Sequence, residues 1–371
     1  MEKIYTALGL MSGTSMDGID ASIISSIDGV QYDEKFNGYY EYDKGLYQKL
    51  CNLRDKIFTS KDLKKLSKEV KSLEKEITLF HAKVVNDVNH LVKKSTISKP
   101  EIIGFHGQTI FHNPEEKISV QLGDGKLLSQ LTKKTVVYDF RQNDLKHGGQ
   151  GAPLAPIFHQ SIKNNINKKG KLPIIFINIG GISNATCFYN LQEKKNKMFA
   201  GDIGPGNCLI DEWIRKNSKE KYDKDGLIAR SGKRNRLILN QAFDNFQFSN
   251  KSSLDIKNFD ISFVKGLSIE DGASTLTELT AELIREGLNN LLQKNKQEWE
   301  TDQEIIICGG GRKNKYLMEL LNLNLDCKNF SKIDEYNIDG DFIESQAFAF
   351  LAIRSFLNLP ISFPETTGCK K

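Results

Sequence analysis

Near the start of the chain, Gly9-Leu10-Met11-Ser12-Gly13-Thr14-Ser15-Met16-Asp17-Gly18-Ile19-Asp20 gathers three glycines, three hydroxyl side chains and two carboxylates in twelve residues. A turn of small residues exposes backbone N–H groups and forms a concave donor site suited to phosphate oxygens. Glycine lets the backbone approach the anion, and Ser12, Thr14 and Ser15 add hydroxyl donors. Asp17 repels a bare phosphate. Its place here calls for a divalent cation between the two, since Mg2+ takes oxygen ligands and bridges to phosphates. Two better-known phosphate loops fit less well. A P-loop needs a lysine that this stretch lacks. A dinucleotide loop opens a helix, whereas Ile19 to Ile24 reads as a strand. A plain glycine-rich hairpin carries the same spacing.

Other stretches place polar groups at strand ends. His106, Gln108 and Thr109 follow the apolar run Ile102 to Phe105, and such positions line clefts in α/β folds. Arg141 lies in the charged stretch Asp139 to Asp144, again directly after a strand. Asp202 precedes the Gly204-Pro205-Gly206 turn and can serve as a general base if a water or hydroxyl comes within hydrogen-bond reach. Gly309-Gly310-Gly311 follows the strand Glu304 to Cys308; three glycines there allow a flat ring to approach the backbone, so an adenine or ribose site is expected. Glu344 opens a closing helix, where a carboxylate complements the helix dipole. Each stretch also has a structural use, as turn, linker or cap.

The elements that position these groups alternate along the chain. Ile4 to Leu10 and Ile19 to Ile24 read as strands around the first turn. Leu63, Leu66, Val70, Leu73, Ile77, Val84, Val88 and Leu91 mark helical periodicity from about Asp62 to Lys94, with His81 and His90 expected as packing or surface residues. Strand–helix alternation continues to Asp139. His147 to Pro156, rich in glycine and proline, reads as a domain junction opening a helix from Leu154 to about Ile166. Leu172 to Ile179, the turn Gly180-Gly181-Ile182-Ser183-Asn184 and Ala185 to Tyr189 repeat the opening strand–turn–strand plan about 170 residues later. The repeat predicts a duplicated α/β domain with one turn from each half facing a nucleotide in a cleft. Asp271 is expected to cap a helix from Ala273 to about Gln293.

At 371 residues the chain is long enough for two domains. Its hydrophobic content of 39% and charged content of 27% are those of a soluble globular protein. The 52 basic and 47 acidic residues are intermixed, giving a net charge of only +5, so no nucleic-acid partner is expected. The six cysteines are scattered without a C-x-x-C pair, which favours reduced thiols over disulfides or zinc. No signal-peptide order and no long apolar run is present, so no membrane association is expected.

Taken together, these stretches resemble the anhydro-N-acetylmuramic acid kinase family. The likeness covers nearly the whole chain in order: Gly9 to Asp20, Gly104 to Thr109, Asp139 to Arg141, Gly148 to Pro156, Asn178 to Asn184, Asp202 to Asn207, Thr275 to Ala281, Gly309 to Gly311 and Glu344 to Ala349. The resemblance implies two duplicated actin-like (ribonuclease H-like) domains with an ATP cleft between them. One spans 1–140 plus 345–371 and the other 141–344. It implies conversion of 1,6-anhydro-N-acetylmuramic acid, ATP and water to N-acetylmuramic acid 6-phosphate and ADP, in bacterial cytoplasmic peptidoglycan recycling, by a homodimer. On this resemblance, Gly13, Thr14, Ser15, Met16, Asp17, Gly18, Ile19 and Asp20 hold the ATP phosphates, with Asp17 facing Mg2+. Gly180, Gly181 and Gly309 to Gly311 complete the nucleotide site. Asp202 is the catalytic base, and Glu344 contacts the sugar, with His106, Gln108, Thr109 and Arg141 on the substrate side. Two departures stand out: Lys251 to Ile256 replaces a Lys-Ser-Thr-Gly-Arg-Glu block common in the family, and Ile203 stands where Thr or Cys is more common. Competing readings are a kinase of another sugar and a nucleotide-gated binding ATPase; sugar-dependent ADP release discriminates both.

Overall fold

The apolar runs flanking the first turn pair as β1 (Tyr5–Ser12) and β2 (Gly18–Ser26), antiparallel, with Met11 opposite Asp20. The computed structural model describes residues 3–13, 15–167, 173–190, 196–246, 254 and 259–370. It divides into two units, Met1–Lys168 with Phe342–Lys371, and Lys169–Asp341. This division differs from boundaries at 140/141 and 344/345. The stretch after 140 is tied to the first unit by the Thr367 hydroxyl donating to Asp144 and the Ser161 hydroxyl donating to the Val30 carbonyl.

The first unit adds β3 (Asp33–Glu41), β4 (Ile102–Asn113), β5 (Ile118–Leu122) and β6 (Thr135–Tyr138). The sheet runs β3-β2-β1-β4-β5, with β6 also on β4. The β1/β4 and β4/β6 pairs are parallel, and the others are antiparallel. Both faces of β1 are buried because alternate residues meet different covers. Leu8 and Leu10 join Ile19, Ile23 and Phe105 in a core completed by the helices Lys44–Lys56 and Ser67–Lys93. On the other face Gly9 and Gly104 sit opposite each other. There the helix Ile343–Phe356 lies so close that a Cβ on either glycine would overlap the carbonyl oxygen of Ser345 or Phe348. The helical pattern from Asp62 forms two helices, Ser60–Lys65 and Ser67–Lys93, broken at Leu66. His81 is a packing residue: it is fully buried, its Nδ1 meets the Ile77 carbonyl, and burial lowers its pKa to about 4.

The second unit contains β7 (Ile174–Ile179), β8 (Ile182–Asn190), β9 (Asn196–Pro205), β10 (Glu304–Cys308) and β11 (Asn329–Lys332). Its order is β11-β10-β7-β8-β9. The β7/β10 and β10/β11 pairs are parallel, while β7/β8 and β8/β9 are antiparallel. Strand for strand this repeats β6-β4-β1-β2-β3 in order and direction. The chain is therefore a duplicated ribonuclease H-like, actin-like α/β fold, with β5 as an addition to the first copy. Helix Ile269–Lys294 covers the second sheet, with Gly287 against the Ile203 carbonyl. It begins earlier than the sequence pattern places it: Ser268, not Asp271, is the cap, accepting from the Asp271 amide at 3.1 Å. Among the described residues no helix is long and apolar enough to cross a membrane.

Candidate active-site groups in the two units

The first turn is held at both ends. The Ser12 hydroxyl lies 2.9 Å from the Gly18 carbonyl oxygen and 2.6 Å from Gln108 Oε1, and it accepts from the Tyr42 hydroxyl at 3.0 Å. Gln108 Nε2 donates to the Gly13 carbonyl at 3.0 Å. Met16 takes a left-handed φ of 58° and buries its side chain in the core, as does Ile19. Those two residues can offer a ligand only their backbone. Ser15 donates to Asp17 Oδ1 at 2.6 Å, and Asp17 and Asp20 stay partly exposed. Thr14 lies outside the described residues. Burial, then the charges of Asp17, Glu41 and Asp20, push the Tyr39 phenol up. The hairpin thus carries a local negative field at its carboxylates.

A bulge shapes the neighbouring strand. β4 pairs Phe105 with Leu10, then Gly107 with Met11 and Gln108 with Ser12, leaving His106 as the extra residue. Gly107 absorbs this with a φ of 73°, a conformation open to glycine. His106 is buried against Phe348. Its Nδ1–H donates to the Gly107 carbonyl, and its Nε2 accepts from Arg141 at 2.9 Å. Burial, then the Arg141 charge, hold its pKa well below the usual range, so it is neutral. Arg141 also donates to the Gly151 carbonyl at 2.8 Å. Thr109, partly exposed, accepts from Gln121 at 3.2 Å. Asp144, which sequence reasoning passed over, clamps the same glycine-rich stretch: Oδ2 accepts from the Gly151 amide and Oδ1 from Thr367, both at 2.7 Å. Glu344 stands partly exposed in the first turn of the Ile343–Phe356 helix. The adjacent Ser345 hydroxyl meets that of Ser22 at 2.7 Å.

In the second unit, the Gly180-Gly181 turn joins β7 to β8. The amides of Gly206 and Asn207 donate back to the Gly181 and Gly180 carbonyls at 2.9 and 2.8 Å. Asp202 lies in β9 opposite Asn184, beside a register shift, and is partly exposed. Its Oδ2 accepts from the Leu254 amide at 2.7 Å. The rest of the divergent stretch 251–256 lies outside the described residues. Gly309 has a φ of 78°, and a Cβ there would crowd Asn178 and Ile179. Gly311 packs against Ile179, while the space beside Gly310 is open. Arg312, 3% exposed, locks this turn. Its guanidinium donates to both oxygens of Asp334 at 2.7 and 2.9 Å, to Asp341 at 2.7 Å and to the Gly309 carbonyl at 3.0 Å. The bidentate bonds hold the Asp334 carboxyl below its usual range. The signal for this lock is an arginine directly after three glycines, with aspartates 22 and 29 residues on.

The first unit therefore brings together hairpin, Gln108 and Ser12, and separately His106, Arg141 and the 148–151 loop. The second brings the Gly180 turn to Asn207 and the Gly309 turn to Arg312. The model of the family described as anhydro-N-acetylmuramic acid kinase matches residues 5–371. An anhydro-N-acetylmuramic acid kinase of Pelagibacter ubique is 54% identical over 375 residues, covering 100% of this chain and 97% of that protein. Those of Agrobacterium fabrum and Brucella canis are 36% and 37% identical, each over 100% of this chain and 97% of theirs. On this full-length agreement, the chain belongs to the anhydro-N-acetylmuramic acid kinase family.

Proposed function

We propose that the chain is an ATP-dependent phosphotransferase that hydrolytically opens 1,6-anhydro-N-acetylmuramic acid and phosphorylates it, giving N-acetylmuramic acid 6-phosphate and ADP for peptidoglycan recycling. The observation that carries this reading is the family match over residues 5–371. Asp202 is the base: its carboxylate takes a proton from water as the water oxygen bonds to the anomeric carbon. The bond from that carbon to O6 breaks, and O6 attacks the γ-phosphorus with ADP as leaving group. Positioning and charge neutralisation carry most of such a transfer. The backbone of Gly13 to Asp20 receives the phosphates, and the Gly180, Gly181 and Gly309–Gly311 turns serve the rest of the nucleotide. Glu344, Thr109 and Arg141 face the sugar, with neutral His106 orienting Arg141.

Among the described residues no group of three metal-ligating side chains could hold an ion unaided. A Mg2+ fits Asp17 none the less, because Mg2+ commonly binds through one or two carboxylates plus phosphates and waters. Bound there, it would neutralise phosphate charge. We place the enzyme in the bacterial cytoplasm as a homodimer, on the same resemblance. The test is ADP release from Mg-ATP with and without the anhydro sugar. Release should depend on that sugar, and Asp202→Asn should abolish it while ATP still binds. Equal turnover of ordinary N-acetylmuramic acid would refute the ring-opening role.

A further inference from the structure

We infer that Gln108 is a positioning residue for the phosphate hairpin and does not contact the sugar. This rests on reading Gly13 to Asp20 as the phosphate site. Gln108 has no exposed surface, and Ser12 and Tyr42 are buried with it. The amide orientation is fixed by its surroundings. Nε2 faces two carbonyl oxygens, of Gly13 at 3.0 Å and Thr109 at 3.3 Å, and only a donor fits there. Oε1 then faces the Ser12 hydroxyl. The chain of bonds from Tyr42 through Ser12 to Gln108 ends on the carbonyl of the first hairpin residue; the single Ser12 proton is directed to the nearer Gln108 Oε1, at 2.6 Å, with the Gly18 carbonyl at the other end 2.9 Å away. One side chain from β4 therefore braces the start of the 13–17 turn, beside the main-chain bond from the Met16 amide to the Gly13 carbonyl at 3.2 Å. Met16, anchored in the core at a left-handed φ, fixes its middle.

The bulge makes this possible. Side chains alternate faces along a strand, so Phe105 and Gln108, three apart, would point oppositely. The extra residue His106 restores Gln108 to the face of Ser12. The glycine at 107 is thus there to deliver an amide to the hairpin.

The experiment measures KM for ATP and for the anhydro sugar separately, with melting temperature, in Gln108→Leu, Gln108→Glu and Asp17→Asn. Gln108→Leu removes the side-chain donor to the Gly13 carbonyl and leaves it only the Met16 amide at 3.2 Å, so KM for ATP should rise about tenfold, the worth of one hydrogen bond, with the sugar KM within about twofold. Gln108→Glu keeps the acceptor for Ser12 and can donate to Gly13 only while its carboxyl is protonated. Its KM for ATP should stay near the parent value at low pH and climb as pH rises, which keeps the inference testable should the leucine variant not fold. A rise in sugar KM alone overturns the inference in favour of a substrate contact. Lower melting temperature with both KM values unchanged overturns it in favour of a merely structural bond. If Asp17→Asn shifts the Mg2+ and ATP dependence while neither Gln108 variant does, the inference alone falls. If Asp17→Asn shifts neither, the phosphate-site reading falls and takes the inference with it.

Discussion

Replacing Arg312 by methionine keeps most of the buried stem and removes the guanidinium. Three charge-assisted hydrogen bonds are lost, two to Asp334 and one to Asp341, together with the bond to the Gly309 carbonyl. Bonds to charged groups contribute roughly 1.5–3 kcal/mol each. The side chains of Asp334 and Asp341 are 45% and 36% exposed, so water recovers much of that and surface screening discounts it further. About 3 kcal/mol remains, including roughly 1 for the stranded carbonyl. The second unit spans 173 residues, 169–341, a size at which each kcal/mol moves Tm by about 2–4 °C, so its melting should fall by about 6–12 °C at neutral pH. The pH dependence adds a second readout. Asp334 is held below its usual range by the Arg312 bonds; burial pushes Asp341 up, but bonds from Lys313 and Arg312 outweigh it. A depressed carboxylate contributes stability above its unfolded pKa, near 4, and loses it as pH falls through its folded value. The gap between parent and Arg312→Met should therefore be widest at pH 7 and narrow as pH falls below about 4 through the folded carboxylate values, down to the share of the Gly309 carbonyl bond, which does not titrate. Calorimetric melts at both pH values test this. A fall under about 2 °C at pH 7, or a gap that stays at its full pH 7 size in strong acid, would refute an electrostatic lock on the Gly309 turn.

Two further perturbations follow. Leu254→Pro removes the amide that donates to Asp202; with Asp202 as the proposed base, and since that bond favours the ionised carboxylate, the acid limb of kcat/KM should move up by about one pH unit, while Leu254→Ala leaves it in place. An unmoved limb in the proline variant would separate this bond from the base. Gly104→Ala forces a methyl into the Phe348 carbonyl across a helix that cannot yield locally, so the urea midpoint should show a loss of about 2–3 kcal/mol; a loss below about 0.5 would mean the helix is free to shift.

The frame was legible because burial on both faces leaves unbroken apolar runs: Glu304 to Cys308 reads as a strand and is one with the same bounds. The repeat of strand–glycine turn–strand likewise pointed to the duplication that the two sheets share. What the pattern hides is anything set by an irregularity or a distant partner. Strict alternation places Gln108 on the face opposite Phe105, and only the bulge at His106 reverses it. Ser268 and Asp271 are both good cap residues three apart, and the choice falls to Ser268 because the helix extends a turn further back, where the Asp271 carboxylate instead accepts from the Lys233 amide. The three glycines read as an approach for a flat ring or as a linker, and Arg312 behind them does not stand out, since Asp334 and Asp341 become its partners only when β11 and the turn after it fold back.

The two copies share a backbone plan and differ in how they support the same turn. In the first unit five residues, 13–17, separate the strands, and side chains add to the main-chain bonds at Gly13 and Asp17: Gln108 and Ser12 at the ends, Met16 in the middle. In the second only Gly180 and Gly181 intervene, and main chain takes the larger part, with the 206 and 207 amides returned to their carbonyls and the Asn207 side chain adding a bond to Gly180 at 3.1 Å. Gly206 is forced by that return, because a Cβ there would overlap the Gly180 carbonyl oxygen. A five-residue turn has room for hydroxyls and a carboxylate. A two-residue turn has room for none, and the proposed base of the second unit stands instead on β9, at Asp202. Duplication thus fixed where a turn must come; loop length decided which chemistry each copy could carry.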